Sequence, residues 1–150
     1  MSSPLYEEVS VGDELPAIAK PALSRTTLAL FAGASADHNP VHIDIDAARE
    51  AGLPDVIGHG MLTMAYVAQV LTGWVSPSAI RSYSVRFVAP TRVGNALTCT
   101  GTVIAKDPSS DGTVRIALQA VDQFGDVKVR GDAEVVLARG ATRTNDAEIV

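Results

Sequence analysis

The stretch from Gly60 to Trp74 limits the possible folds of this chain more than any other. Met61, Leu62, Met64, Ala65, Val67, Ala68, Val70 and Leu71 make it apolar around nearly the whole circumference of a helix. A helix without a polar face is expected to be buried on all sides. At 150 residues the chain has the length of one domain, so another layer has to wrap this helix. After Gly73 the apolar period falls to two, as in strands. Arg81–Val88 alternates Arg81, Tyr83, Val85 and Phe87 against Ser82, Ser84, Arg86 and Val88. Ala96–Ala105, Thr113–Val121 and Val127–Leu137 read as further strands. Val93-Gly94-Asn95, the loop Lys106–Gly112 and the turn Gln123–Asp126 separate them. Short connections mean antiparallel neighbours. The expected class is α+β, a single domain over residues 1–150 with a polar tail from about 139 to 150.

Upstream of the long helix the texture is different. Residues 17–23 read as a strand or extended arm. Ser24 suits an N-cap, and Leu28, Leu30, Phe31 and Ala34 lie near helical spacing over Arg25–Ser35. Asp44–Ala51 reads as a second short helix, with acids at its start and Gly52 as its stop.

Between these helices lies the chemistry. All three histidines of the chain fall between Phe31 and Met64. Asp37, His38, Asn39, Pro40 and His42 crowd into one short hook, which is expected to be rigid and non-helical because Pro40 fixes its own φ and biases Asn39 toward extended backbone. Such a hook can hold a carboxylate beside an imidazole, and an imidazole exchanges a proton near neutrality. Taken singly, Asp37 and Asn39 read as turn formers as readily as chemical groups. Gly58-His59-Gly60 offers the complementary tool. If a helix starts at Gly60, its first N–H groups lack internal partners and can face an oxygen that gains negative charge.

Phe31, Ser35-Ala36-Asp37-His38-Asn39-Pro40-Val41-His42-Ile43-Asp44, Ala47-Ala48 and the later His59-Gly60-Met61 together resemble the hydratase 2 motif of MaoC-like dehydratases, the (R)-specific enoyl-CoA hydratases. Ala36 stands where that pattern commonly has Gly. The chain is most similar to the small single-domain members, among them the catalytic subunit of the mycobacterial fatty-acid synthase II dehydratase. The resemblance implies a hot dog fold, in which a curved antiparallel sheet wraps a long central helix. It implies reversible hydration of trans-2-enoyl thioesters, with Asp37 and His42 as the catalytic pair. Gly60, with Asn39 and His59, falls on the oxyanion and substrate-binding side, and His38 is the variable position. No metal or other cofactor is implied; the substrate rides on coenzyme A or on the phosphopantetheine of an acyl-carrier protein. A homodimer is expected, or a heterodimer with a paralogue.

Composition narrows the partners. The formal charge is −5 with no basic stripe, which argues against nucleic acid. A 47% apolar fraction and a mean hydropathy of +0.19 suggest a buried subunit interface. The single cysteine, Cys99, lies in a strand-like run and reads as ordinary core. One cysteine fits a reducing compartment, and neither a signal-like N-terminus nor a membrane-length apolar run is evident, so the expected location is cytoplasmic. Arg81, Arg86 and Arg92 are candidates for carrier phosphates, and Met64, Tyr66 and Trp74 for limiting acyl length. Phe31 reads as core before it reads as channel lining. A thioesterase of the same fold would need a carboxylate or nucleophile on the long helix, which Met61–Leu71 does not offer. A non-catalytic subunit should lack the Asp/His pair. A dehydratase acting on a non-lipid thioester in a specialised pathway fits the motif equally well.

Overall fold

The computed structural model describes residues 3–109 and 111–140. Most of the expected polar tail lies outside the described residues. Its first two residues are tied down: Arg139 Nη2 donates to Pro108 O, and Gly140 N–H donates to Glu7 Oε2.

The elements run β1 (Ile18–Lys20), α1 (Arg25–Ser35), α2 (Ile45–Glu50), α3 (Gly60–Thr72), β2 (Ile80–Phe87), β3 (Leu97–Lys106), β4 (Thr113–Asp122) and β5 (Val127–Val136). The five strands form one antiparallel sheet in the order β1-β3-β4-β5-β2. The last strand thus inserts between β4 and the first long strand, leaving β1 and β2 as edges. α3 packs against β1, β2, β3 and β4.

Local chemistry sets the helix ends. Ser24 Oγ accepts the Thr27 N–H at 3.1 Å and starts α1. Asp44 caps α2 through the Asp46 N–H at 2.9 Å. α3 stops at Thr72, two residues before the expected end, where Trp74 and Val75 N–H both turn back to Leu71 O. The hook is not wholly non-helical: Pro40–His42 closes one 3-10 turn, because Pro40 supplies a helical φ and Asn39 Oδ1 caps it through the Val41 N–H.

Two apolar clusters grip the central helix. The larger joins Val67, Val70 and Leu71 to Cys99, Val103, Ile116, Ala120, Val129 and Val135 of the sheet. The smaller joins Leu62 to Leu23, Leu28, Ala48 and Val56. Between them one stripe of α3 stays open, at Met61, Ala65, Gln69 and Thr72. The expectation of a helix buried on all sides is corrected here. A single sheet and two short helices cover most of a cylinder, and the fourth-residue repeat of those positions keeps the gap on one line.

Gly131 brings β2 close to β5. A Cβ there would lie 2.3 Å from Ser84 O and 2.9 Å from Val85 Cγ1. That close approach fixes the line of β2, whose last residue, Phe87, reaches the start of α3.

Candidate active site

The hook after α1 is built by capping. Ala36 ends the helix in the left-handed region at φ +59°, and the chain turns there. Ser35 Oγ donates to Phe31 O at 2.7 Å and accepts the Asp37 N–H at 3.3 Å. Asp37 Oδ1 accepts the Asn39 N–H at 3.3 Å, while the side chain stays partly exposed. Asn39 is exposed, and its amide oxygen is used on the local cap. It therefore supports the hook rather than facing a cleft.

His42 is half-buried. Its Nδ1 lies 2.8 Å from Ile57 O. A carbonyl oxygen only accepts, so Nδ1 carries the proton and Nε2 keeps the lone pair in the neutral ring. His59 is fully buried. Its Nε2 donates to Asp37 O at 3.2 Å, and its Nδ1 has no hydrogen-bond partner among the described residues. The two imidazoles stack at 4.0 Å between centroids with 27° between planes. Phe31 meets His59 edge-on at 4.9 Å. Phe31 and His59 thus sit behind the site as packing. The His59 ring, expected on the substrate-binding side, has no exposed surface and packs against His42 and Phe31.

One donor atom from each of Asp37, His42 and His59 lies within 4.8 Å of the other two. These are the side chains that could hold a metal, although each ring already gives one nitrogen to a backbone carbonyl. As an acid–base unit, the pair of Asp37 and His42 is close enough to share one water.

A cleft of about 300 Å³ opens beside His42. His42, Gly60, Thr63, Phe87, Pro90 and Thr91 are among its lining residues. Asp37, Asn39 and His59 are not among its lining residues; Asp37 comes near the cleft only through His42, whose donor atom lies within 4.8 Å of its own. Gly60 is the first residue of α3, and no partner for its N–H occurs among the described residues. The Phe87 ring covers this residue: a Cβ on Gly60 would lie 3.1 Å from Phe87 Cε1. A methyl there would press on the ring, which would have to give by a few tenths of an ångström.

The other wall of the cleft is the segment after β2, Val88 to Thr91. Ala89-Pro90 reads in sequence only as an interruption between strands. Its position comes from long-range pairing: Val88 N–H donates to Lys128 O at 2.8 Å, and Gly58 N–H donates to Thr91 O at 2.7 Å. Lys128 is itself buried and paired at 3.0 Å with buried Asp122, whose other bonds come from Asn95 Nδ2 and the Phe124 and Asp126 N–H groups. Met64, Tyr66 and Trp74 do not line the cleft; Tyr66 and Trp74 pack against the larger core, and Met64 O accepts the Tyr83 hydroxyl. Arg81, Arg86 and Arg92 are exposed and form no ion pair among the described residues.

Comparison with known proteins identifies the family and the fold. The family model of the MaoC like domain matches residues 8–123. The (R)-specific enoyl-CoA hydratase of Rhodospirillum rubrum is 34% identical over 139 residues, which is 90% of this chain and 93% of that protein. The solved R-hydratase PhaJ1 of Pseudomonas aeruginosa superposes with a TM-score of 0.78 at 28% identity, covering 91% of this chain and 86% of that one. The ChsH1–ChsH2 complex of Mycobacterium tuberculosis gives 0.74 at 26% identity, covering 85% and 98%. The sheet around a central helix is the hot dog fold, and the chain belongs to the MaoC-like domain family.

Proposed function

We propose that this chain adds water reversibly to trans-2-enoyl thioesters, forming (3R)-3-hydroxyacyl thioesters. The observation that carries the reading is the meeting of Asp37 and His42 donor atoms within 4.8 Å, with His42 lining a cleft that Gly60 also lines. The thioester oxygen accepts the Gly60 N–H, at the positive end of α3. A water lies between the Asp37 carboxylate and His42 Nε2. As its oxygen bonds to Cβ, one of these groups takes a water proton, and a proton is delivered to Cα. The reverse sequence is dehydration, and reactant concentrations set the direction.

The carrier is coenzyme A or an acyl-carrier protein, with Arg81, Arg86 and Arg92 available to its phosphates. The chemistry needs no metal or other cofactor. The working form is a dimer, with itself or with a paralogue. Its support is the open edge of β2, where Phe87 and Val88 are 51% and 52% exposed beside the cleft. No helix among the described residues is long and apolar enough to cross a membrane, and a reducing, cytoplasmic location belongs to the same proposal. The test is incubation of the pure protein with crotonyl-CoA and longer 2-enoyl-CoAs while following loss of enoyl absorbance. Loss of absorbance with formation of the (3R) product is expected. Inertness toward every chain length removes the reading.

A further inference from the structure

We infer that Thr63 gives the thioester oxygen a second hydrogen bond, beside the Gly60 N–H, and that Thr91 aims it. The inference rests on the hydration reading for the identity of that oxygen. It starts from two hydroxyls where an apolar lining would be expected. Thr63 Oγ1 and Thr91 Oγ1 lie 3.2 Å apart, their residues are 3% and 5% exposed, and both line the cleft. Their neighbours there include Ile57, Phe87, Val88 and Val129.

Counting protons gives the next step. Two hydroxyls carry two hydrogens, and the bond between them uses one. No other acceptor for either hydroxyl occurs among the described residues. One O–H is therefore left for something that enters the cleft, and a buried O–H without an acceptor is costly.

Position selects Thr63 as the donor. It follows Gly60 by three residues on α3, so the two share a helix face. Helical side chains lean toward the N-terminus and cover the turn before their own Cα. That lean carries the Thr63 hydroxyl toward the first turn of α3, which begins at Gly60. Thr91 is held from behind by the Gly58 N–H on its carbonyl. If Thr91 donates to Thr63, the Thr63 hydrogen turns to the substrate, and the chained bond strengthens the donor. Hydroxyl and amide then form a two-donor oxyanion site, with the hydroxyl supplied by the side chain at this position.

Four proteins test this: wild type, Thr63→Val, Thr63→Ser and Thr91→Val. Two readouts are used, kcat on crotonyl-CoA and the infrared carbonyl stretch of bound ¹³C-carbonyl butyryl-CoA, which has no double bond to hydrate. Thermal melting identifies any variant that fails to fold. The expectation is a carbonyl shift to lower frequency in wild type that shrinks in Thr63→Val and survives in Thr63→Ser. kcat should fall about 10²-fold in Thr63→Val, the scale of one lost oxyanion donor. Thr91→Val should lose about tenfold or less, since Thr63 can still donate. A folded Thr63→Val with unchanged kcat and carbonyl shift overturns the inference and leaves the hydration reading standing. No carbonyl shift in wild type also overturns it. A Thr63-dependent shift in a protein that hydrates no 2-enoyl-CoA keeps the donor and removes the hydration reading.

Discussion

Within the hook, small groups have separable duties. Asp37→Asn keeps the shape and the cap to Asn39 but removes the carboxylate charge. Turnover should fall by about 10² to 10⁴ with the melting curve unchanged; near-normal turnover would take Asp37 out of the mechanism. His59 touches both members of the pair, one through a hydrogen bond and one through stacking. His59→Gln can keep a donor for Asp37 O and loses the stack, while His59→Phe keeps a ring and leaves that carbonyl unpaired. Each should lower kcat roughly 10- to 100-fold through misplacement, with KM little moved. A loss confined to Phe would assign the effect to the hydrogen bond. Ala36 carries a different cost, because φ +59° is unfavourable for an L side chain. Ala36→Gly should stabilise the chain by up to about 1 kcal/mol, read from urea denaturation. No gain would mean that the entropy of glycine cancels the relief.

Among the elements, β2 decides whether the site is assembled. It is an edge strand, yet it carries Phe87 over Gly60 and leads into the cleft wall. Its seating depends on Gly131. Gly131→Ala places a methyl 2.3 Å from Ser84 O, so β2 has to move away from β5. A loss of roughly 3 kcal/mol is expected, typical of overpacking at its upper end. Activity should drop further than the folded fraction explains, because the Phe87 ring moves with the strand. Equal losses of folding and activity would show that β2 has no separate role in the cleft.

For the whole molecule, the informative group is the buried Asp122–Lys128 pair. Burial pushes the Asp122 carboxyl up, but the Lys128 hydrogen bond and the Asp126 and Phe124 N–H groups outweigh it and hold the carboxyl below its usual range. A carboxyl lowered on folding stabilises the fold above its unfolded value, about 3.9. That contribution is lost as pH falls through the lower folded value. Asp122→Asn should therefore be less stable than wild type at pH 7, and the gap should narrow below about pH 4. A gap independent of pH would assign the loss to packing. Burial also pushes the Cys99 thiol up to about 11, despite the opposing Lys20 charge. It should react with a disulfide reagent at pH 8 only as fast as the protein opens.

The chain's own residues determined what local forces can decide. Ser24 and Asp44 had the side chains to cap, Pro40 had the fixed φ to make a hook, and the period-two runs from Ile80 to Val136 left little choice but strands. Asp37, His42 and Gly60 stood out as candidates mainly because acid, imidazole and glycine recur in the motif that the chain resembles. Tertiary structure decided the rest. It turned His59 inward under His42, inserted β5 beside β2, and made Val88–Thr91 a wall of the cleft. It also paired Thr63 with Thr91, residues far apart in sequence. Those outcomes depend on strand order and close packing between distant segments, and no periodicity or capping rule carries that information along the chain.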